Sequence, residues 1–269
     1  MPPLISCLMV TLPVPDRAAG LHRAIADYRC QNYPRRELVL VLNGGEAPCQ
    51  AAIAAHVAAL ADASIRLVAP PGLLPLGALR NAAVAAAQGE VLCQWDDDDR
   101  YHPDRLAQQQ ALLATSGAAA VLLAEVMQYF VAERSLFHTN WRATEAGGFP
   151  GSILWRRTAG LHYPEAGAEA RLGEDSAVLR QLAEAGPPAL LAEAPWLYVY
   201  TTHGGNSWPA AHHRMLSREL AVSRGMLARR EARLRAGLAP FCFGPGAVAV
   251  QGYNGVAFEL AGETETVSS

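Results

Sequence analysis

The sequence is poor in charged side chains, in aromatic side chains and in paired cysteines. Charged residues make up 17% and aromatic residues 7% of the 269-residue chain, whereas globular proteins average about 25% charged residues. The five cysteines are widely spaced and never form a C-x-x-C pair. This pattern argues against a disulfide framework and against a structural zinc site. Cys7 and Cys93 lie in apolar runs, so we expect both to be small core residues.

A strong net charge and a long apolar run are also missing. The formal net charge is −3, so we expect no electrostatic attraction to nucleic acid. No stretch reaches the ~18 uninterrupted apolar residues of a spanning helix. The apolar run Leu4–Val14 has no basic residue before it, and prolines interrupt its end, which favours a core strand over a signal peptide. We expect a cytoplasmic protein, with peripheral contact to the inner membrane surface left open.

Apolar residues make up 51% of the chain, enough for the core of one large α/β domain or two closely packed halves. In the first hundred residues, apolar runs alternate with helical patterns. The expected strands are Leu4–Thr11, Glu37–Leu42, Ile65–Val68 and Glu90–Trp95. The expected helices are Asp16–Gln31, Ala51–Ala61 and Leu76–Gln88, with Asp16 as an N-cap and Gly89 as a C-cap. This alternation predicts a parallel, doubly wound sheet.

The pattern changes after residue 100. We expect a helix at Pro103–Thr115 and amphipathic strands at Ala118–Phe130 and Arg134–Asn140. Further along we expect one arginine-rich helix from Ala210 to Arg235 and a hairpin at Val248–Leu260. Residues 1–235 are predicted to form one domain, with a nucleotide-binding half (1–100) and an acceptor half (101–235) sharing one continuous sheet. A C-terminal tail (236–269) follows.

The predicted strand Glu90–Trp95 ends in four adjacent carboxylates, Asp96–Asp99. Ligands of open α/β sheets bind beyond the carboxyl ends of the strands, and adjacent carboxylates repel one another unless a cation compensates. A solvated acidic loop is the alternative, but the position at a strand end counts against it. An EF-hand does not fit, because neither its glycine nor its closing glutamate is present. A D-x-D motif at Asp96 and Asp98 fits, since Mg²⁺ or Mn²⁺ binds one or two carboxylates together with substrate phosphates.

At this point the chain resembles the family 2 glycosyltransferases, inverting enzymes with the GT-A fold. The resemblance covers roughly residues 4–210 and rests on fragments in the family's order. They are the opening strand to Thr11, Gln31-Asn32-Tyr33-Pro34 before Glu37-Leu38-Val39, Gly77-Ala78-Leu79-Arg80-Asn81 before Gly89-Glu90, Trp95 to Pro103, Gly173-Glu174-Asp175, and Tyr200 to Trp208. The resemblance implies an α/β, Rossmann-like GT-A fold whose mostly parallel central sheet is flanked by helices.

The resemblance also assigns roles within the acidic motifs. Asp98 would bind the metal ion, Mn²⁺ or Mg²⁺, and Asp96 the ribose or the metal through water. Asp97 stands at the variable position, where we expect substitution to be mild, and Asp99 would support the site. Glu174 and Asp175 match the family's catalytic pair, which implies that Asp175 is the general base. The alternative is that both acids simply begin a helix and suit its dipole.

Further residues are implied as nucleotide contacts. His203 would contact the metal or the diphosphate, although a lone histidine is more often structural. Arg80 would contact the nucleotide, the alternative being an ordinary surface arginine. Thr11 and Pro13 lie in the first loop, which is longer and richer in proline than the family's. Asn43 stands where the family usually has an aspartate that accepts from uracil, and an asparagine can accept the same bond.

The implied activity is transfer of a sugar, with inversion, from a nucleoside-diphosphate donor, with UDP favoured, to a hydroxyl acceptor. The acceptor is a glycan, a lipid-linked glycan or a small molecule, and we expect residues 140–173 to choose it. One alternative is a non-catalytic protein that binds nucleotide-sugars or metal. A nucleotidyltransferase fits less well, because such enzymes commonly carry a basic, glycine-rich loop after the first strand, and Val10–Gly20 contains only one glycine and one arginine. A phosphatase-type Asp-x-Asp site also fits poorly, because no Thr or Val follows the motif and its strand is not the first.

Overall fold

The computed structural model describes residues 1–262 and arranges them around two β-sheets. Residues 263–269 of the predicted tail lie outside the described residues. In chain order the strands are β1 (Ile5–Thr11), β2 (Arg36–Leu42), β3 (Ile65–Val68), β4 (Val91–Gln94), β5 (Arg100–Tyr101), β6 (Ala120–Leu123), β7 (Glu125–Phe130), β8 (Ser135–Asn140), β9 (Phe149–Arg156), β10 (Ala189–Leu191), β11 (Tyr198–Thr202), β12 (Val248–Gly252) and β13 (Gly255–Leu260).

The helices pack on the faces and edges of these sheets. They are α1 (Ala18–Arg29), α2 (Ala47–Ala59), α3 (Leu76–Ala86), α4 (Arg105–Ser116), α5 (Glu174–Ala185), α6 (Ala210–Leu220), α7 (Arg224–Arg229) and α8 (Glu231–Leu238). Short 3-10 turns occur at Pro15–Arg17, Trp141–Ala143, Arg157–Ala159 and Pro195–Leu197. Within residues 1–262 no helix is long and apolar enough to cross a membrane.

The first sheet confirms the doubly wound prediction. Its strand order is β10-β6-β9-β4-β1-β2-β3, and β3, β2, β1 and β4 run parallel. Only β9 is antiparallel to its neighbours. The apolar runs of β1 and β2 are buried along nearly their whole length, as expected for strands covered by helices on both faces. Cys7 and Cys93 are both buried in this core, as expected. The α/β fold with a mostly parallel sheet is therefore confirmed.

The expected single continuous sheet is wrong. A second sheet, with the order β13-β12-β8-β7-β11-β5, holds the remaining strands of the described chain. The stretch Ala118–Phe130, expected as one strand, is divided at Ala124 between β6 in the first sheet and β7 in the second. The Ala124 amide donates to Leu191, and its carbonyl accepts from Trp141. Glu125 directly follows the break, but it is buried like the residues on both sides, and a single acid also fits the amphipathic strand that was expected.

The expected long helix from Ala210 to Arg235 is also wrong, because the chain forms three short helices there. α6 ends where Ala221 adopts an extended conformation, and the Val222 amide donates to the carbonyl of His138 in β8. The Ser223 side chain then accepts from the Met226 amide and caps α7. Pairing with the sheet therefore interrupts a sequence that is helical in composition.

Two expected helix caps are not formed. Asp16 lies inside the 3-10 turn Pro15–Arg17, and its side chain caps no helix. The third helix ends at Ala86, before Gly89. The Gly89 amide instead donates to the Ser6 hydroxyl at 2.8 Å, and β1 passes so close that a Cβ would not fit. This glycine serves strand packing. The predicted hairpin at Val248–Leu260 is confirmed by the pairing of β12 with β13.

Candidate active site

A cleft of about 540 Å³ opens beyond the carboxyl ends of the parallel strands, where the topology of an open α/β sheet places ligands. It brings together seven of the predicted site residues: Asn43, Arg80, Asp96, Asp97, Asp98, Glu174 and Asp175. The other three, Thr11, Pro13 and His203, do not line the cleft themselves. His203 reaches it through Asp98, as described below.

The acidic run alternates between partly exposed and buried side chains. Asp96 and Asp98 are partly exposed, whereas Asp97 and Asp99 are 2% and 1% exposed. Asp99 accepts from the Tyr198 hydroxyl at 2.5 Å and from the Thr201 amide at 2.7 Å, which ties the run to β11. Burial, together with the charges of Asp98 and Asp96, raises the pKa of Asp99 well above its usual range. Asp96 and Asp98, the two positions of the D-x-D pattern, are therefore the carboxylates of this run that a ligand in the cleft can reach.

Asp97 is held by Arg17, which follows the proline-rich first loop. The Arg17 Nε lies 3.1 Å from one Asp97 oxygen and Nη2 lies 2.5 Å from the other, so the pair is bidentate. Nη2 also donates to Asp98 at 3.1 Å. Burial and the nearby Asp98 raise the pKa of Asp97, against the opposing effect of Arg17. Arg17 was not predicted as a site residue, and no local signal in the sequence identifies it.

Asp98 and His203 are in contact, with 3.1 Å between Nε2 and a carboxylate oxygen. Burial opposes ionisation of Asp98, but the His203 hydrogen bond and the charge of Arg17 outweigh it and lower the pKa of Asp98. The His203 ring is oriented by its own loop, because the Gly205 amide donates to Nδ1 at 3.1 Å. Since Nδ1 accepts, the neutral ring carries its proton on Nε2, facing Asp98.

The donor set bears on metal binding. Within the described residues, no group of three or more His, Cys, Asp or Glu side chains converges as a metal cage. Asp98 offers carboxylate oxygens of the kind that Mg²⁺ and Mn²⁺ prefer, and such ions take further oxygens from phosphates and water. His203 can join this set only after Nε2 loses its proton, which disrupts the contact from Gly205. The residues present thus fit an ion held by few protein ligands.

Arg80 is buried between the two acidic motifs. Its Nε donates to Glu174 at 2.8 Å, and its Nη2 donates to Asp96 at 3.0 Å. The Tyr163 ring lies beneath the guanidinium, 5.7 Å from its central carbon. At 6% exposure, Arg80 is not the ordinary surface arginine that was the alternative interpretation. In this structure both ion pairs of Arg80 are made to carboxylates of the protein itself, Glu174 and Asp96.

Glu174 and Asp175 occupy the first turn of α5, after Gly173 in a left-handed conformation. Glu174 is buried against Arg80. Asp175 is partly exposed, and one of its oxygens accepts from the Ser176 amide at 2.7 Å. Burial and the neighbouring charge of Glu174 raise the pKa of Asp175 to about 6, against the opposing effect of Arg80. Asp175 thus both lies in the first turn of a helix and lines the cleft, so the two interpretations of this carboxylate are compatible.

Asn43 uses both ends of its side-chain amide on Leu74. Its Oδ1 accepts from the Leu74 amide at 3.1 Å, and its Nδ2 donates to the Leu74 carbonyl at 3.3 Å. Each end of the amide keeps the capacity for one more bond, a second N–H on Nδ2 and a second lone pair on Oδ1, so a contact to a base can be added to these bonds. Thr11 and Pro13 shape the same corner through their carbonyls, which accept from Asn43 and Glu46.

Comparison with known proteins identifies the family. A sequence model described as "Glycosyl transferase family 2" matches residues 9–159, more than half of the chain. The chain belongs to this family. It is thus a glycosyltransferase, and its matched region contains the first loop, α3 and the acidic run. No curated protein sequence matches it.

Solved glycosyltransferase structures share the fold of this family 2 chain. S. aureus TarS 1-349 in complex with UDP is 15% identical over 88% of this chain and 75% of that one, with a TM-score of 0.57. The mannosyltransferase PcManGT from Pyrobaculum calidifontis, in complex with GDP-Man and Mn²⁺, is 16% identical over 89% and 68%, with a TM-score of 0.58. Against the longer S. aureus TarS, the chain spans 43% of that protein's length. At such low identity these likenesses establish the GT-A fold.

Proposed function

We propose that this glycosyltransferase moves a sugar from a UDP-sugar to a hydroxyl acceptor, with inversion and with help from a divalent cation. The observation that carries the proposal is the position of Asp175. A carboxylate whose pKa is raised to about 6 shares one cleft with the D-x-D pair Asp96 and Asp98. A general base works best with a pKa near the working pH, and a protein that only binds nucleotide-sugars has no need of one.

In the proposed reaction Asp175 takes the proton of the acceptor hydroxyl as that oxygen attacks the anomeric carbon. The attack comes from the side opposite the departing diphosphate, so the configuration inverts. Glu174 remains paired with Arg80 and holds the start of α5, and with it Asp175, in place. Residues 1–100 would bind the nucleotide and residues 101–235 the acceptor.

The metal ion would be held by Asp98 and, once its Nε2 has lost the proton, by His203. When bound there, a divalent cation supplies positive charge for the leaving diphosphate. Asp96, paired with Arg80, would face the ribose or the ion's water. PcManGT, whose structure contains Mn²⁺, supports this part of the proposal.

The identity of the base needs a direct measurement, because the two similar structures contain different nucleotides, UDP in TarS and GDP-Man in PcManGT. Uridine is our proposal. Beyond its bonds to Leu74, Asn43 has a second N–H and a second lone pair, and these could meet a uracil edge.

A thermal-shift screen tests donor and metal together. The protein is heated with UDP, GDP, ADP or CDP, in Mn²⁺ or in EDTA, and the increase in melting temperature is compared. We expect the largest increase with UDP and Mn²⁺. Equal increases in Mn²⁺ and EDTA would contradict the metal role, and a larger increase with GDP would contradict the uridine preference. Release of free sugar and UDP from UDP-sugars, followed by mass spectrometry, then tests catalysis; its absence with every bound donor would favour a non-catalytic protein.

A further inference from the structure

Six aromatic rings form a continuous chain along one wall of the cleft. We propose that this wall, here called the aromatic belt, is the acceptor subsite and that it binds the ring of a neutral saccharide. The inference rests on the proposed function and narrows its acceptor from any hydroxyl compound to a sugar. The belt consists of Trp141, Phe149, Tyr200, His213, His212 and Trp208, all of which line the cleft.

Each ring of the belt touches the next. The distances between successive ring centroids are 5.0 Å from Trp141 to Phe149, 5.4 Å to Tyr200, 5.4 Å to His213, 5.8 Å to His212 and 4.5 Å to Trp208. The last pair is stacked, and Trp208 is 41% exposed. An exposed tryptophan supported from behind by a histidine ring is a rigid, flat contact surface.

The middle of the belt lies next to the reacting groups. Tyr200, its third ring, lines the cleft together with Asp96, Asp98 and Asp175. Burial and the charges of these acids and of Asp99 raise the pKa of Tyr200. From Tyr200 the belt continues to the exposed Trp208. A molecule lying along this part of the belt would therefore have one end near the acidic motifs and the other towards solvent.

The belt also contains an unused hydrogen-bond acceptor. His213 is buried, and its Nε2 lies 3.1 Å from the Trp208 carbonyl, which can only accept. The Nε2 therefore carries the proton, and Nδ1 carries a lone pair. Burial lowers the pKa of His213 and keeps the ring neutral. Within the described chain Nδ1 has no hydrogen-bond partner, and buried groups of this kind usually have one. Nδ1 has almost no accessible surface, so a hydroxyl of the bound molecule can supply that bond once the ring turns this edge towards the cleft.

Charge and shape select among acceptor classes. The cleft walls carry six carboxyl side chains and three arginines, and two of those arginines, Arg17 and Arg80, are already paired with carboxylates. An anionic acceptor would be repelled there. A lipid tail would leave Nδ1 of His213 without a partner. A pyranose ring has an apolar C–H face for the belt and hydroxyls at its edge, so it satisfies both requirements.

Saturation-transfer NMR on the full chain tests the subsite without requiring turnover. The probes are methyl glycosides of glucose, galactose, mannose and N-acetylglucosamine, with methyl glucuronoside as the anionic comparison and hexane-1,2-diol as the aliphatic one. We expect saturation of the ring C–H protons of at least one neutral glycoside. We expect no saturation of the glucuronoside or of the diol. Trp208→Ala should weaken that glycoside's binding roughly ten-fold, and Trp208→Phe should restore most of it. Tyr253→Ala, which removes an aromatic ring exposed elsewhere, is the matched control and should change nothing.

The outcomes separate the subsite from the proposed function. If UDP-sugar is hydrolysed but no neutral glycoside binds, or if Trp208→Ala leaves its binding unchanged, the saccharide subsite is wrong and sugar transfer stands. Binding of only the glucuronoside or the diol also contradicts it. If glycosides bind through Trp208 but no donor binds or reacts, the transferase proposal fails and the saccharide site remains. If no glycoside binds and no donor binds or reacts, both the saccharide subsite and the transferase proposal are wrong.

Discussion

The Arg80 guanidinium donates to the Glu174 carboxylate across 2.8 Å, both groups being almost fully buried. The pair joins α3 to the first turn of α5, over a sequence separation of 94 residues. Because the second arm of Arg80 reaches Asp96, one side chain connects the D-x-D motif to the element that carries Asp175. The relative position of the proposed metal and base sites thus depends on Arg80.

Arg80→Ala should lower the free energy of unfolding by about 3–5 kcal/mol, because it leaves the buried Glu174 carboxylate without its cation. Urea denaturation measures the effect. Arg180→Ala is the matched control, since the Arg180–Glu169 pair is exposed at 54% and 52% and should contribute no more than about 1 kcal/mol. Arg80→Lys should recover part of the loss. Equal losses for Arg80→Ala and the control would show that Arg80 is not a structural connection.

Asp175→Asn should reduce sugar transfer or donor hydrolysis by about 10²–10⁴-fold, the usual contribution of a general base. Affinity for UDP should remain, because a base acts in the transition state and not in donor binding. Turnover by mass spectrometry and calorimetry with UDP measure the two quantities. Wild-type turnover in this variant with a true acceptor would show that another group takes the proton.

The pH dependence of Asp175 follows from its raised pKa. The base must be ionised, so kcat/KM should rise as pH increases through about 6 and then level off. The stability contributed by Asp175 changes with pH in the opposite direction to that of a salt-bridged acid. The native state binds the Asp175 proton more tightly than the unfolded chain, so this residue's contribution to folding falls as pH rises from about 4 to about 6. Asp175→Asn should therefore melt at or above wild type at pH 7.5, and the advantage should shrink as pH falls from about 6 to about 4.

Asp97 and Asp98 should respond differently to substitution. Asp98→Ala should abolish any effect of Mn²⁺ on UDP binding. Asp97→Ala should lower stability, contrary to the mild effect expected from the sequence. It removes the buried carboxylate that pairs with Arg17 and leaves that guanidinium with Asp98 as its remaining ion-pair partner in the run. Thermal melting with UDP, in Mn²⁺ and in EDTA, separates the two effects. A metal response that survives Asp98→Ala would place the ion elsewhere.

Asn43→Ala tests base recognition. If Asn43 reads uracil, as proposed, its loss should weaken UDP binding by about 1–3 kcal/mol, the cost of leaving a buried partner unpaired, and should weaken GDP and ADP binding much less. The bonds to Leu74 give the side chain a second role in holding its loop, and loss of that role alone would weaken binding of all three nucleotides alike. Calorimetry with the three nucleotides distinguishes the cases, and equal losses would contradict Asn43 as the base contact.

The sequence predicts those parts of the fold that depend on local pattern. Continuous apolar runs identify β1 and β2, and the position of the acidic run at the end of β4 locates the cleft. The break at Ala124 could not be predicted, because buried residues continue on both sides of it. The same holds for the end of α6, where the chain pairs with β8 in preference to continuing a helix of good composition.

Within the site, the sequence predicts which residues meet but not how they pair. Asp98 and His203, far apart in sequence, come together as the motif order implies. The bond from Arg17 to Asp97 spans 80 residues, and no local pattern announces a contact of that range. Arg80 lies on an alanine-rich helix whose composition gives little sign of which side is buried. Long-range ion pairs of this kind need the three-dimensional arrangement.

The place of β9 in the first sheet has a consequence for synthesis on the ribosome. Phe149–Arg156 pairs with β4 on one side and β6 on the other, so a nascent chain that ends near residue 100 exposes one whole edge of β4. Unpaired edges of apolar strands are where partly made chains stick together. Residues 1–100 therefore lack a strand that their sheet needs, and we expect them not to finish folding ahead of the rest. We expect chaperones to hold the emerging chain until residue 156 has left the exit tunnel, and a fragment cut at residue 100 to precipitate.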